Sequence, residues 1–245
     1  MLDKSQFTQH ISRQFNEELE SVRQKVLAMG GLVEDQILRS LNALSALDGE
    51  AAKEIIEKDK MVNAHEVMID EECTRILAKR QPTAGDLRLV VAIIKTITDL
   101  ERVGDEAEKI ARMASHIALS VEEVIPTKQH FGAVVHLGQH VKQMLHDALD
   151  AFARLDVELA LTVAQKEAQA DKEYNAISRH LMTYMMEDPR SISAVLDVMW
   201  SARALERIGD HARNICEYVI YLVEGKDVRH ISLEEIKKLT SHSDN

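Results

Sequence analysis

Glycine and proline are scarce in this 245-residue chain, nine and three residues respectively, too few to punctuate a β-rich fold with turns. Long apolar runs are missing as well. No segment holds eighteen uncharged apolar residues in succession, and the polar stretch from Met1 to Gln14 lacks the apolar centre of a secretory signal. The expectation is a cytoplasmic protein without membrane insertion. Basic residues are in deficit, 30 Lys and Arg against 41 Asp and Glu, and the formal net charge of −11 argues against general affinity for nucleic acid or an anionic membrane. The two cysteines, Cys73 and Cys216, lie far apart in helical segments, where a lone thiol reads as a small buried hydrophobe rather than half of a disulfide. A nucleophile with an adjacent base, a glycine-rich phosphate loop and a basic surface with interleaved aromatics are all missing, so nothing in the sequence demands catalysis.

What is abundant is Ala, Leu, Glu, Met, Gln and Lys, the residues of long helices. Pro82, Pro126 and Pro189 divide the chain into stretches of helical periodicity. Asp48 and Asp156, each a good N-cap followed two residues on by an acid, divide it further. Six helices result, over 8–46, 49–80, 84–116, 128–154, 157–186 and 190–224, and the fold class is all-α. Thr83 with Asp86 resembles a capping box, and Asp188-Pro189 offers an N-cap with proline at the first helical position.

The second half repeats the first. Leu47-Asp48-Gly49-Glu50 is matched by Leu155-Asp156-Val157-Glu158 at an offset of 108, and Leu100-Glu101-Arg102-Val103-Gly104-Asp105 by Leu205-Glu206-Arg207-Ile208-Gly209-Asp210 at an offset of 105. About three residues are therefore lost at the turns around Pro82 and Pro189. The spacing predicts a tandem repeat of two three-helix bundles, residues 1–120 and 121–228, joined through Ile117 to Gln129 and followed by a polar tail at 229–245. Short turns between long helices make sequential helices antiparallel neighbours.

Within this pattern one lane breaks the amphipathic rule. On the third helix Ile93, Ile97, Leu100, Gly104, Ala107, Ala111 and Ala114 form the core stripe, while its margin changes from Leu87, Val90 and Ile94 to Glu101, Asp105 and Glu108. The sixth helix does the same, Ile192, Val195 and Met199 giving way to Glu206 and Asp210, with Arg213 in place of the third acid. On the second helix Asp59, Asn63, Glu66 and Asp70 share a rotational sector with Ile55, Val62, Ile69, Cys73 and Leu77. The fifth keeps Glu167 and Asp171 there but has Tyr174 and Ser178 afterwards, so its site should be less negative. Counting outward from each turn sets Glu101 level with Asn63 or Ala64, Asp105 with Asp59 or Lys60, Glu206 with Asp171 and Asp210 with Glu167.

Carboxylates converging inside a helical interface must raise their pKa values, pair with a base, or bind a cation. Basic partners are few in these sectors, which favours a cation. The candidate ligands are Asp59, Asn63, Glu101 and Asp105 in one half and Glu167, Asp171, Glu206 and Asp210 in the other. Oxygen donors of this kind suit Mg, Mn, Ca or Fe, with Zn a further candidate. His65 and His211 rotate away from the acids and read as surface histidines; Arg102 and Arg207 read as outward-facing charge; Met182 to Met186 reads as adaptable packing. Gly104 and Gly209 suggest close approach of a neighbouring helix.

The duplicated Leu-Glu-Arg-Val/Ile-Gly-Asp motif, Ala78-Lys79-Arg80-Gln81-Pro82-Thr83 and Leu181-Met182-Thr183-Tyr184-Met185-Met186-Glu187-Asp188 together resemble the PhoU family of bacterial phosphate-specific transport accessory proteins, from about His10 to Leu239. The resemblance implies tandem three-helix bundles, often homodimeric, whose E(D)-x-x-x-D motifs bind metal ions or clusters. Here those motifs are Glu101/Asp105, Glu206/Asp210, Asp59/Asn63 and Glu167/Asp171, and Asn63 departs from the acid-acid form. It further implies a non-enzymatic negative regulator of phosphate uptake and of the phosphate-starvation response, bridging the ATPase subunit of the phosphate ABC transporter and the sensor histidine kinase of the regulon. Two alternatives stand beside it: a metal-dependent enzyme or metal store using the carboxylate sites, and a purely structural bundle.

Overall fold

The structure, a computed structural model, describes residues 13–119, 128–229, 231 and 235. It contains six helices: α1 (Arg13–Ala46), α2 (Gly49–Arg80), α3 (Ala84–Leu119), α4 (Lys128–Arg154), α5 (Val157–Glu187) and α6 (Ile192–Glu224). Helices α1 to α3 form one bundle and α4 to α6 the other. Among the described residues there is no strand, and no helix is long and apolar enough to cross a membrane. The third helix runs three residues beyond the expected end at 116, to Leu119, so the connector between the bundles is correspondingly shorter; residues 8–12 of the expected first helix lie outside the described residues.

The first turn of each bundle is built on the same backbone plan. Leu47 and Leu155 both adopt a left-handed backbone with φ of 54°, an uncommon state for a branched side chain that costs on the order of 1–2 kcal/mol. What holds each is the residue that follows. Asp48 N–H donates to Ala43 O and Asp156 N–H to Ala151 O, both at 3.0 Å, closing the preceding helix. The same aspartates then cap the next one: Asp48 accepts from the amides of Glu50 and Ala51, and Asp156 from that of Leu159. One residue thus satisfies the ends of two helices, which explains why so few glycines suffice.

The second turns differ, and there the three-residue length difference resides. Gln81, Pro82 and Thr83 separate α2 from α3, with Gln81 left-handed at φ of 47°; only Asp188 separates α5 from a short 3-10 turn at Pro189–Ser191 that leads into α6. Asp188 caps this 3-10 turn through the amide of Arg190, so regular α-helix begins at Ile192 rather than at 190. At the first of these turns Thr83 Oγ1 donates to the Asp86 carboxylate at 2.8 Å, pairing the two residues of the expected capping box.

The two bundles share one continuous apolar core. Helices α3 and α6 pack along each other between the bundles, antiparallel, since Asp99 meets Tyr218, Glu106 meets Arg207 and His116 approaches Asp197. Helix α1 touches α4 through a reciprocal contact in which Leu149 fills the space beside Gly30 and Leu41 the space beside Gly138; a Cβ on either glycine would fall 2.5 Å from the leucine methyl carbons. The positions are equivalent in the repeat, so the contact is two copies of one knob-in-hole related by pseudo-twofold symmetry. Burying a leucine contributes about 1.5–3 kcal/mol, and filling the glycine hole on both sides makes this a substantial bond between the halves. The expected core stripe of α3 from Ile93 to Ala114 is buried throughout, and both cysteines are buried and free.

Candidate metal centres

Three carboxylates converge in the first bundle. Asp59 of α2 meets Asp105 and Glu108 of α3, one oxygen of each lying within 4.8 Å of the other two. Asp59 is 7% exposed and held by two amides: Gln36 of α1 donates to Oδ1 at 2.9 Å, and Asn63 donates to Oδ2 at 3.2 Å. Having given their N–H groups to Asp59, both amides leave a carbonyl oxygen, Gln36 Oε1 and Asn63 Oδ1, buried without a hydrogen-bond partner. Such an oxygen costs about 1–3 kcal/mol unless something meets it, and a bound cation is one such partner. Gly104 makes the assembly possible: a Cβ there would lie 3.2 Å from Val62, 3.3 Å from Asp59 and 3.4 Å from Gln36.

Glu101 lies at the rim of this cluster. Burial pushes its carboxyl above the usual range, and Asp105, Glu66 and Asp59 push it the same way. Asp105 is raised by burial and then by Asp59. Glu66 is raised by burial, while Asp70 is exposed, so the acidic lane of α2 runs outward from Asp59 to solvent. Sequence reasoning placed Glu108 in the lane without naming it as a ligand and missed Gln36 entirely, because α1 carries no acidic lane to signal it.

In the second bundle Glu167, Asp171, Glu206 and Asp210 influence one another electrostatically, but among the described residues no three of their oxygens converge as those of Asp59, Asp105 and Glu108 do. Burial raises Glu206, with Asp210 the next cause and Asp171 after Arg203. Burial also raises Asp210, with Asp171 second. Glu167 is raised by burial, Arg213 opposing and Asp171 and Asp210 adding. Arg213 stands at the repeat position of Glu108 and reaches Glu167 at 3.4 Å and the buried Glu217 at 3.2 Å. Arg203 pairs with Glu206 at 2.5 Å. The expectation that bases are few around the acids therefore fails in both halves: Arg203 and Arg213 enter the sector from α6, one replacing an acid, and in the first bundle Arg112 of α3 pairs with Glu108 at 2.6 Å.

Other expectations need correction. His211 is buried, 7% exposed, because α3 covers it; its Nδ1 lies 2.6 Å from Asp99, which also accepts from Asn214 Nδ2 at 3.1 Å and Tyr218 Oη at 2.7 Å. This network locks α3 to α6. Arg207, taken as outward-facing charge, reaches across to the buried Glu106 at 3.0 Å. Of the methionine run, Met182 and Met186 are exposed rather than packed, and Ile192 is exposed although it heads the apolar lane of α6. Gly209 has only ordinary neighbours, with Val141 3.5 Å from a notional Cβ, so close approach explains Gly104 but not its repeat.

Comparison with known proteins gives a consistent result. The family described as the PhoU domain matches twice, over residues 26–114 and 134–219. A phosphate-specific transport system accessory protein PhoU homolog of Pseudomonas aeruginosa is 55% identical over 238 residues, covering 97% of both chains. The phosphate-specific transport system accessory protein PhoU of Escherichia coli is 49% identical over 246 residues, covering 99% of both. A crystal structure of PhoU from Pseudomonas aeruginosa superposes with a TM-score of 0.82 at 54% identity, covering 86% of this chain and 100% of that one. The phosphate transport system regulatory protein PhoU of Streptococcus pneumoniae gives 0.79 at 33% identity, covering 87% and 99%.

Proposed function

This chain belongs to the PhoU family, and on that premise we propose that it is a non-catalytic accessory regulator of phosphate transport, repressing phosphate uptake and the starvation response when phosphate is plentiful. The observation that carries this reading is similarity over nearly the whole of both chains to proteins named as phosphate-specific transport system accessory proteins. Its partners are the ATPase subunit of the phosphate ABC transporter and a sensor histidine kinase, its place is the cytoplasm, and it works as a homodimer. A chain with net charge −11 suits docking to basic patches, where complementary charge sets partner choice and rate of encounter.

In this reading the carboxylate sites brace the bundles. The residues of the first bundle fit a hard divalent cation: Asp59, Asp105 and Glu108 supply converging oxygens, and Asn63 and Gln36 each have an unmet carbonyl oxygen beside them. Glu101 extends the set at the rim. A cation there would neutralise the carboxylates and tie α2 to α3. The second bundle fits one less well, since Arg213 and Arg203 supply positive charge to two of its acids, Glu167 and Glu206, against one in the first, where Arg112 pairs with Glu108. The role is then to fix the shape of the acidic surface rather than to activate a substrate.

Purified protein presented to the isolated ATPase subunit and to the cytoplasmic part of the kinase, with Mg²⁺ or Mn²⁺ and again with chelator, tests the proposal. Binding to at least one partner is expected, weakened by chelation. Absence of binding to both under every metal condition would overturn it.

A further inference from the structure

Helix α1 has no acidic lane facing the first carboxylate cluster, yet it sends one polar side chain there. Its buried face is apolar through Val22, Val26, Met29, Val33, Ile37 and Leu41, and Gln36 joins that face at 7% exposure. A buried amide costs stability unless both its donor and its acceptor are met. Only the donor is met: Nε2 gives to Asp59 Oδ1 at 2.9 Å, while Oε1 is buried without a hydrogen-bond partner. Gln36 and Asp59 approach one spot beside α3, since a Cβ on Gly104 would stand 3.4 Å from Gln36 Oε1 and 3.3 Å from Asp59 Oδ1.

The second bundle shows that packing does not require an amide at this place. Gly30 repeats as Gly138 and Leu41 as Leu149, both at an offset of 108, which sets Met144 at the position of Gln36. The contacts agree: Met144 is fully buried, and its Cε lies 3.9 Å from a notional Cβ on Gly209, the repeat of Gly104. A thioether fills the space there without any polar atom to satisfy. The amide stands instead in the bundle where, among the described residues, three carboxylate oxygens converge.

We propose that Gln36, through its carboxamide oxygen, is a ligand of the hard divalent cation assigned to Asp59, Asp105 and Glu108, and that it confines tight binding to the first bundle; the proposal rests on the cation reading of that cluster. Half a turn of the carboxamide exchanges its nitrogen and oxygen in place, a change of little steric consequence. Oε1 then takes the position 2.9 Å from Asp59 Oδ1 that Nε2 holds. Neighbouring oxygens on an octahedral ion with bonds of about 2.0–2.1 Å lie roughly 2.9 Å apart, so both atoms can share one ion. A neutral oxygen adds coordination without adding to the repulsion among three carboxylates. It matters the more because Glu108 divides its charge with Arg112 at 2.6 Å. A cation so held draws α1 into the site as well as α2 and α3.

Titration of the full chain with Mn²⁺, followed by electron paramagnetic resonance, tests it. Affinity should fall by about tenfold or more in Q36M, which installs the second bundle's own residue, and in D59N. Metal-free Q36M should melt no lower than the parent chain, because it removes an unmet polar atom, so lost affinity is not lost folding. Parent chain carrying ¹³C at its glutamine carboxamides should show, by electron–nuclear double resonance, the strong coupling of a carbonyl bound directly to Mn²⁺. That readout needs no variant, and an amide that only positions Asp59 would not produce it. Affinity lost in D59N but unchanged in Q36M, or a Mn²⁺-loaded parent chain without the coupling, would overturn the assignment of Gln36 and leave the carboxylate site standing. Affinity unchanged in both variants would overturn the cation site and this proposal together.

Discussion

Helices α3 and α6 carry the same acidic pair at the same place, Glu101 with Asp105 and Glu206 with Asp210, yet one turn further on they part: the first has Glu108 and the second Arg213. In the first bundle the third acid joins Asp59 and Asp105 while pairing with Arg112 at 2.6 Å, and the unmet oxygens of Asn63 and Gln36 lie beside them. In the second the guanidinium sits between Glu167 and Glu217 and supplies the cation from the chain itself. The two halves thus balance the same acidic pair differently: the second sets Arg213 against its acids, and the first keeps three converging carboxylates, the place of the cation in the proposed reading.

The largest expected effect comes from making the first half resemble the second. Glu108→Arg should weaken Mn²⁺ or Mg²⁺ binding by about a hundredfold, some 2.7 kcal/mol, through like-charge exclusion and loss of a ligand; equilibrium dialysis measures it, and unchanged metal content would mean that the cation does not sit between α2 and α3. Next is the reverse experiment. Arg213→Ala leaves Glu167 and the buried Glu217 without their base and should cost about 1–3 kcal/mol in chemical denaturation, less than a fully buried pair because Arg213 is one-third exposed. Added divalent cation should recover part of that loss.

A smaller contrast is expected at the paired glycines. Gly104→Ala forces Val62, Asp59 and Gln36 to give by a few tenths of an ångström and should destabilise by about 1 kcal/mol net, with weaker cation binding because Asp59 moves. Gly209→Ala meets only ordinary contacts and should stabilise by about 0.5–1 kcal/mol from helix propensity. Thermal melts of the two variants side by side would reverse the packing interpretation if their signs were swapped.

The smallest effect is a pH slope. Glu101 and Asp105 have raised pKa values in the fold, so their contribution to stability is present below the ordinary carboxylate range and lost as pH rises through the elevated values. Metal-free protein should therefore lose stability as pH is raised from about 4 towards neutrality, with a gentler slope in Asp105→Asn and in protein given Mg²⁺. Identical slopes in all three samples would show that these carboxylates do not titrate together in the fold.

Much of the fold was legible because it depends on local chemistry. Asp48 and Asp156 marked helix starts by their capping oxygens, and the 3.6-residue period of Ile93, Ile97, Leu100 and Gly104 identified the buried face of α3. Level-matching across the first hairpin set Asp105 opposite Asp59 or Lys60, since antiparallel helices joined by a short turn have little freedom of register, and the structure selects Asp59. His211 was misread because its burial comes from α3 of the other bundle, 112 residues away in sequence, which no local rotation reveals. Gln36 was missed because α1 carries no acidic lane, so nothing along its own helix marks the amide that meets Asp59 of α2. The methionines at 182 and 186 were misplaced because composition tells that a residue can pack, not whether a neighbour is there.

The sequence by itself determined the helices, the duplication and the lane along which acids replace apolar residues, all consequences of backbone hydrogen bonding and period within single segments. Tertiary structure alone decided which bundle surfaces meet, how Leu149 and Leu41 fill the spaces beside Gly30 and Gly138, which carboxylates gain Arg213 and which are left with unmet amide oxygens. The physical reason is distance: charge balance and cavity filling depend on atoms a few ångströms apart in space, contributed by helices far apart along the chain.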